Sequence, residues 1–287
     1  TATGNQTLTG NSGDDVLLGA AGIDTVNSGT GSDVIITYGG NDAITVDGTG
    51  NKTIDGGTGT NTLSISYTGI NGLSDFAVGS VSNTDGANWT LTASNGDVIT
   101  FKNIIDYTYT SGAAGYWDGY VTVASKEYRF VSDMRHDTSP FSGAYGSVQA
   151  FVHEVGSAVE VVLSEGGKWL PQYRMSSYKD FTFDGSETFS IYGSSGSEVM
   201  FGGYQADAII AGDGNDFIFG GDGADTIDAG AGNDVIYTSL AGLTEDVSIK
   251  GGTGSNTLAF NKPGEAGGWD NESYNAVSFN LSNDLGN

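Results

Sequence analysis

The chain has 287 residues, no Cys and only 3 Pro, with 47 Gly and 35 acidic against 10 basic side chains, for a formal charge of −25. That balance excludes a disulfide scaffold and argues against nucleic-acid binding, which needs clustered Lys and Arg to neutralise phosphates. Apolar residues make up 37% and aromatics 11%, enough for a packed core in part of the chain. No apolar run approaches the ~20 residues that span a bilayer, and Thr1 to Asn11 lacks the basic start and apolar stretch of a secretory signal.

From Gly10 the chain reads in nine-residue units, GNSGDDVLL, GAAGIDTVN, SGTGSDVII and TYGGNDAIT, which place Asp15, Asp24, Asp33 and Asp42 at one position and Leu17, Val26, Ile35 and Ile44 two residues later. From Gly202 the pattern returns as GGYQADAII, AGDGNDFIF, GGDGADTID and AGAGNDVIY, with Asp207, Asp216, Asp225 and Asp234 followed by Ile209, Ile218, Ile227 and Ile236. A period of nine fits neither a helix nor a hairpin ladder. The glycines allow six residues to turn, and the last three form a short strand. Two units make one coil of a parallel roll, so units eighteen residues apart stack in register. Asp15 then lies beside Asp33, Asp24 beside Asp42, Asp207 beside Asp225 and Asp216 beside Asp234. At the strand spacing of about 4.8 Å, two such carboxylates repel by roughly 3–4 kcal/mol at an effective dielectric of 20. A row of these pairs therefore calls for cations between them. The oxygen-only ligand set, carboxylates and turn carbonyls without thiolate or imidazole, selects Ca²⁺, with several ions expected.

The units resemble the RTX, or haemolysin-type, calcium-binding nonapeptide GGxGxDxUx. The resemblance covers about 115 residues and implies a right-handed parallel β-roll with Ca²⁺ in its turns. It further implies a large bacterial adhesin that leaves the cell by type I secretion and folds on meeting external calcium. The pattern departs from the family at Gln205, which replaces a Gly and predicts a distorted turn at Asp207. Lys52, Asn61 and Asn256 occupy the Asp position in DGTGNKTID, GGTGTNTLS and GGTGSNTLA. Lys52 brings a positive charge to the place of a metal and Asn a weaker neutral oxygen, so calcium is expected to thin out towards the end of each block. Whether the blocks form two rolls or halves of one stays open.

Between the blocks the nine-residue period stops. Trp89–Ala93 and Asp97–Phe101 flank Asn95-Gly96, a hairpin signal, and Val161–Leu163 and Lys168–Leu170 flank Gly166-Gly167 as a second hairpin. Further strands are expected at Tyr120–Val123, Glu127–Val131, Val148–His153, Asp180–Phe183 and Thr188–Tyr192. The fold class is all-β: parallel β-roll blocks flanking an inserted antiparallel β-sandwich. The expected organisation is 1–64 for the first roll block, 65–200 for the insert and 201–260 for the second block. Residues 261–287 then read as a closing strand or the start of a further module, as in a region excised from a longer protein.

The insert holds seven of the ten basic residues and both histidines. Tyr116, Trp117, Asp118 and Tyr120 read as a loop of aromatics with a carboxylate. Asp133, Arg135, His136 and Asp137, with Tyr145, read as a second, longer loop. Aromatic faces beside carboxylates and Arg suit a sugar ring or a peptide end, although the aromatics equally suit the edge of the core and the acids a salt bridge or a structural calcium. His153, alternating with Phe151, reads as a framework residue. No G-x-S-x-G or H-E-x-x-H occurs, so no catalytic residues are assigned. The reading is therefore a non-enzymatic, secreted or cell-surface adhesion module with calcium in its rolls. Its partners are a cell-surface peptide or glycan and neighbouring modules of the same chain. The alternatives are a polysaccharide lyase or epimerase, or a structural spacer or S-layer element.

Overall fold

The computed structural model describes residues 3–79, 89–104, 107–111, 114–133, 148–164, 166–169, 185–238, 248–260 and 279–281. The chain divides into two units, residues 1–135 with 151–153, and residues 136–150 with 154–287.

In the first unit the strands are β1 (Thr7–Thr9), β2 (Val16–Leu18), β3 (Thr25–Asn27), β4 (Asp33–Ile36), β5 (Ala43–Gly48), β6 (Lys52–Asp55) and β7 (Thr62–Tyr67). After a 3-10 turn at Leu73–Asp75 come β8 (Phe76–Gly79), β9 (Trp89–Ala93), β10 (Val98–Lys102), β11 (Tyr107–Ser111), β12 (Ala114–Val123) and β13 (Lys126–Asp133). The nine-residue period sets the coil, as expected. Odd-numbered β1, β3, β5 and β7 stack in parallel on one face and even-numbered β2, β4 and β6 on the other. The register steps by eighteen at Thr7↔Thr25, Thr25↔Ala43 and Val16↔Val34. Val46 is an extra residue before the fifth unit, and the next steps are accordingly nineteen, at Asp33↔Lys52 and Ala43↔Thr62. Val26, Ile35, Ile44, Ile54 and Leu63 are buried between the faces. Each such side chain contributes about 1.5–3 kcal/mol relative to exposure, so strands of three or four residues suffice when stacked.

The middle of the chain departs from the expected separate sandwich. Its described strands in this unit add to the two faces of the roll: β10 pairs in parallel with β6, and β12 in parallel with β7. Antiparallel partners follow outward, β9 and β8 beyond β10 and β13 beside β12. The hairpin at Asn95-Gly96 forms as expected, with Gly96 at φ 90°. Its turn docks on the roll, because Asp97 Oδ2 accepts the Gly50 amide at 2.9 Å and Asn51 Oδ1 accepts the Val98 amide at 2.9 Å. The apolar centre is Trp89, whose ring meets Phe151 and Phe130 edge-on at centroid distances of 4.5 and 5.8 Å. His153 is a framework residue: Nδ1 lies 2.7 Å from the Glu127 carbonyl, and its ring packs 5.3 Å from Tyr128.

The second unit contains β14 (Val148–Val155, apart from its central 151–153), β15 (Ala158–Leu163), β16 (Lys168–Trp169), β17 (Thr188–Tyr192), β18 (Val199–Phe201), β19 (Ala208–Ile210) and β20 (Phe217–Phe219). These are followed by β21 (Thr226–Asp228), β22 (Val235–Thr238), β23 (Ser248–Lys250), β24 (Asn256–Phe260) and β25 (Phe279–Leu281). Here β15, β17, β19, β21 and β23 stack in parallel on one face, and β16, β18, β20, β22 and β24 on the other, with β25 antiparallel at the edge. The hairpin expected at Gly166-Gly167 is not formed. β15 pairs in parallel with β17 and β16 in parallel with β18, so the glycines turn a corner of the roll and pass the chain from one face to the other. The register step widens to 22 at Thr226↔Ser248. Asp180–Phe183 lies outside the described residues.

Close turn stacking makes some glycines obligatory. A Cβ on Gly214, at φ 124°, would lie 1.4 Å from the Gly196 carbonyl oxygen, and one on Gly232, at φ 146°, 1.4 Å from that of Gly214.

Trp89 is fully buried, so Trp89→Ala is expected to cost about 3–5 kcal/mol in urea unfolding at saturating calcium. A loss below about 1 kcal/mol would show that this ring does not organise the strands added to the first roll.

Candidate functional site

The eight Asp residues of the repeats end the turns and enter the strands, and the parallel register brings them together as the spacing requires. Asp24, Asp33, Asp42, Asp207, Asp216, Asp225 and Asp234 are buried, and Asp15 is half-buried. In each expected pair the later carboxylate accepts the earlier residue's own amide. Asp15 N donates to Asp33 Oδ1 at 3.0 Å, Asp24 N to Asp42 Oδ1 at 2.8 Å, Asp207 N to Asp225 Oδ1 at 2.9 Å and Asp216 N to Asp234 Oδ1 at 2.9 Å. The second oxygen of several carboxylates turns to its own loop, where the amides of Asn11, Ala20 and Gly203 donate to Asp15, Asp24 and Asp207. Gln205 does not break this arrangement, since Asp207 keeps both contacts and the Gln205 side chain donates to the Gly185 carbonyl at 2.9 Å.

Two observations match this ladder to a hard cation. Asp42 Oδ2, Asp216 Oδ2 and Asp234 Oδ2 are buried and accept no hydrogen bond among the described residues, a costly condition for a carboxylate unless a positive charge satisfies it. At Lys52 the chain itself supplies the positive charge: its Nζ is surrounded by Gly31 O at 2.6 Å, Asp33 Oδ2 at 2.6 Å, Gly29 O at 2.9 Å and Thr49 O at 3.2 Å. Turn carbonyls of two successive coils and one Asp thus converge on one point. Among the described residues no group of three or more Asp, Glu, His or Cys side chains is placed to hold a metal ion by itself. The donor set is one of carboxylate plus backbone oxygens, which suits Ca²⁺.

Two acidic residues of the roll escaped the repeat pattern. Glu198 stands nine residues before Asp207, with Gly193 and Gly196 ahead of it and Met200 behind, and its amide donates to Asp216 Oδ1 at 2.8 Å. Glu198 therefore occupies an Asp position, with its carboxylate accepting Gly166 N and Ser194 Oγ, each at 2.8 Å. The glycine spacing was the signal; Glu for Asp hid it. Glu187, accepting Gly185 N at 2.9 Å, lies in the preceding coil without that spacing.

The ligand residues expected in the insert fare differently. The stretch read as an aromatic loop is strand β12, paired with β13 so that Tyr116 lies opposite Asp133, Trp117 opposite Ser132, Asp118 opposite Val131 and Tyr120 opposite Arg129. A run of Tyr and Trp is a good strand former, and β13 supplies its partner. Arg135, His136, Asp137 and Tyr145 lie outside the described residues.

Comparison with known proteins agrees with the site. The RTX calcium-binding nonapeptide repeat matches in four copies, over residues 1–35, 18–48, 192–227 and 201–236. Residues 1–48 and 192–236 thus carry RTX calcium-binding nonapeptide repeats, and Ca²⁺ is the ion such repeats bind. No curated protein matches. Among solved structures, that of the extracellular lipase LipA from Serratia marcescens is similar at 15% identity, with a TM-score of 0.24. The alignment covers 93% of this chain and 32% of the lipase chain, so this chain spans about a third of that protein.

Burial pushes the Asp207 carboxyl up to about 6 and the Asp216 carboxyl up to about 7, the latter also raised by Glu198, Asp234 and Asp213. Burial raises Asp234 as well. A carboxyl whose folded value lies above its unfolded one stabilises the fold while protonated. The contribution is complete below the unfolded value near 4 and is lost as pH rises through about 6 and 7. The metal-free protein is thus expected to melt at a lower temperature at about pH 8 than at about pH 4, whereas apparent calcium affinity rises over that range because the ion needs the ionised form. Scanning calorimetry with and without calcium checks both signs; a metal-free midpoint that rises with pH would refute this account of the buried acids.

Proposed function

We propose that this chain is a calcium-dependent extracellular ligand-binding module of an RTX adhesin. The single observation carrying the calcium part is the buried Asp ladder with its unsatisfied oxygens, repeated in both units. Asp15, Asp24, Asp33, Asp42, Asp207, Asp216, Asp225 and Asp234 are the proposed metal residues, acting with the turn carbonyls. Asp33 is the exception on one side, because Lys52 already neutralises it. Residues 1–64 and 201–260 are the proposed roll blocks and 261–287 a closing strand or the start of the next module; of the proposed insert, 65–200, strands β15–β18 stack on the second roll, so its ligand-binding part is the stretch before them.

The reading of the insert as a ligand site draws support from the β12–β13 backbone register, which sets Tyr116 opposite Asp133 and Tyr120 opposite Arg129. Aromatics beside carboxylates and an Arg are the groups that hold a sugar ring or a peptide end, so the proposed partner is a cell-surface peptide or glycan. RTX repeats are typical of type I-secreted proteins, which supports a secreted or cell-surface location. Among the described residues no helix is long and apolar enough to cross a membrane.

The test begins with calcium titration of the metal-free protein by calorimetry and circular dichroism, followed by glycan and peptide arrays at saturating calcium. Calcium is expected to raise strand content and melting temperature. One ligand class is then expected to bind, with at least a tenfold loss of affinity, about 1.4 kcal/mol, in Trp117→Ala or Arg135→Ala. A protein that folds with calcium but binds neither array would overturn the adhesion reading in favour of a structural or enzymatic role.

A further inference from the structure

Lys52 sits in the Asp position of its nonapeptide, on the strand that follows β4 in the stack, and it is fully buried with Asp33. Its ammonium carries three N–H groups yet lies within 3.2 Å of four oxygens, the carbonyls of Gly29, Gly31 and Thr49 and the Asp33 carboxylate. These oxygens come from both turns that flank the position, which is the arrangement expected around a bound ion rather than around a single ion pair. A buried charge is tolerated only when so surrounded.

The turn carrying Lys52 is also anchored independently of any metal. Gly50 donates its amide to Asp97 Oδ2 and accepts the Tyr67 hydroxyl at 2.6 Å, while Asn51 Oδ1 accepts the Val98 amide. Backbone bonds then tie the preceding turn to it, from Gly31 N to Thr49 O at 3.0 Å and from Asp33 N to Asn51 O at 2.8 Å. The opposite face closes in a related way at Asn61, whose Nδ2 donates to Gly56 O at 2.6 Å and Asn103 O at 3.0 Å.

We propose that Lys52 is a tethered cation filling the ion position between turns 28–33 and 47–52, so that this position takes no calcium and stays formed in its absence. The turn pair is then a permanent base on which calcium orders the coils toward residue 10. This rests on the reading of the other Asp turns as calcium sites, and it concerns what one residue does to that series.

The decisive experiment is hydrogen exchange on the full chain with calcium removed by a chelator, followed by calorimetric calcium counting in variants. In the wild type without calcium, the amides of Gly31 and Asp33 are expected to exchange at least about tenfold more slowly than that of Gly13, which makes the equivalent bond one coil earlier. Lys52→Met is expected to abolish that difference. Lys52→Asp is expected to abolish it too, but to bind one calcium ion more than the wild type and to regain protection at 28–33 only with calcium. Equal exchange of Gly31 and Gly13 in calcium-free wild type overturns the proposal, as does an unchanged ion count in Lys52→Asp that is folded at saturating calcium. If the wild type binds no calcium at all, the reading of the Asp turns fails, and the exchange comparison still decides the role of Lys52.

Discussion

Stacking identical units in register places like charges one strand spacing apart, and everything else in this protein is arranged around that repulsion. The same register that buries Ile209, Ile218, Ile227 and Ile236 between two faces also buries the aspartates two residues before them. The apolar gain cannot be had without the electrostatic cost. Backbone amides donated from one coil to the next carboxylate offset part of that cost, and buried oxygens such as Asp216 Oδ2 and Asp234 Oδ2 remain for a cation. Ion binding and folding are coupled wherever ligands meet only in the folded chain, so the proposed calcium sites would tie the stability of the coils to the ion.

The protein uses more than one way to meet this constraint. Most turns present carboxylate and carbonyl oxygens alone. Lys52 supplies a covalently attached charge, and Asn61 and Asn256 keep the carbonyl that receives the previous coil's amide while turning an NH₂ toward Gly56 O and Gly251 O. Replacing an acceptor by a donor at the same position removes both the repulsion and the need for a metal. These substitutions lie where each repeat run gives way to other strands, β10 and β12 in the first unit and β25 in the second.

The strands between the repeat runs use the roll as a template. β6 and β7 offer parallel edges that β10 and β12 complete, and the antiparallel strands beyond them enclose Trp89, Phe101, Phe130 and Phe151. The Asn95–Asp97 turn then holds the roll turn at Gly50. The proposed ligand strands β12 and β13 therefore grow from the end of the roll that Lys52 and Asn61 close with their own side chains.

The nine-residue period, the Asp positions and the inward apolar residues were legible because each is set within a unit of nine residues and repeated many times. Side-chain chemistry at fixed spacing was by itself enough to point to an oxygen-liganded divalent cation. The pairing of the middle strands was not legible in the same way. Val161–Leu163 and Lys168–Trp169 look like two arms of a hairpin, and Tyr116–Tyr120 like a loop, because local pattern does not show which distant edge is open to receive a strand. Glu198 was hidden by one methylene, and the four-oxygen setting of Lys52 depends on turns from two different coils. Sequence alone determined the repeat, its register and its need for positive charge. Only the tertiary structure decided where each new strand docks and which oxygens surround the Lys52 ammonium, because those outcomes are set by contacts between residues far apart in the chain.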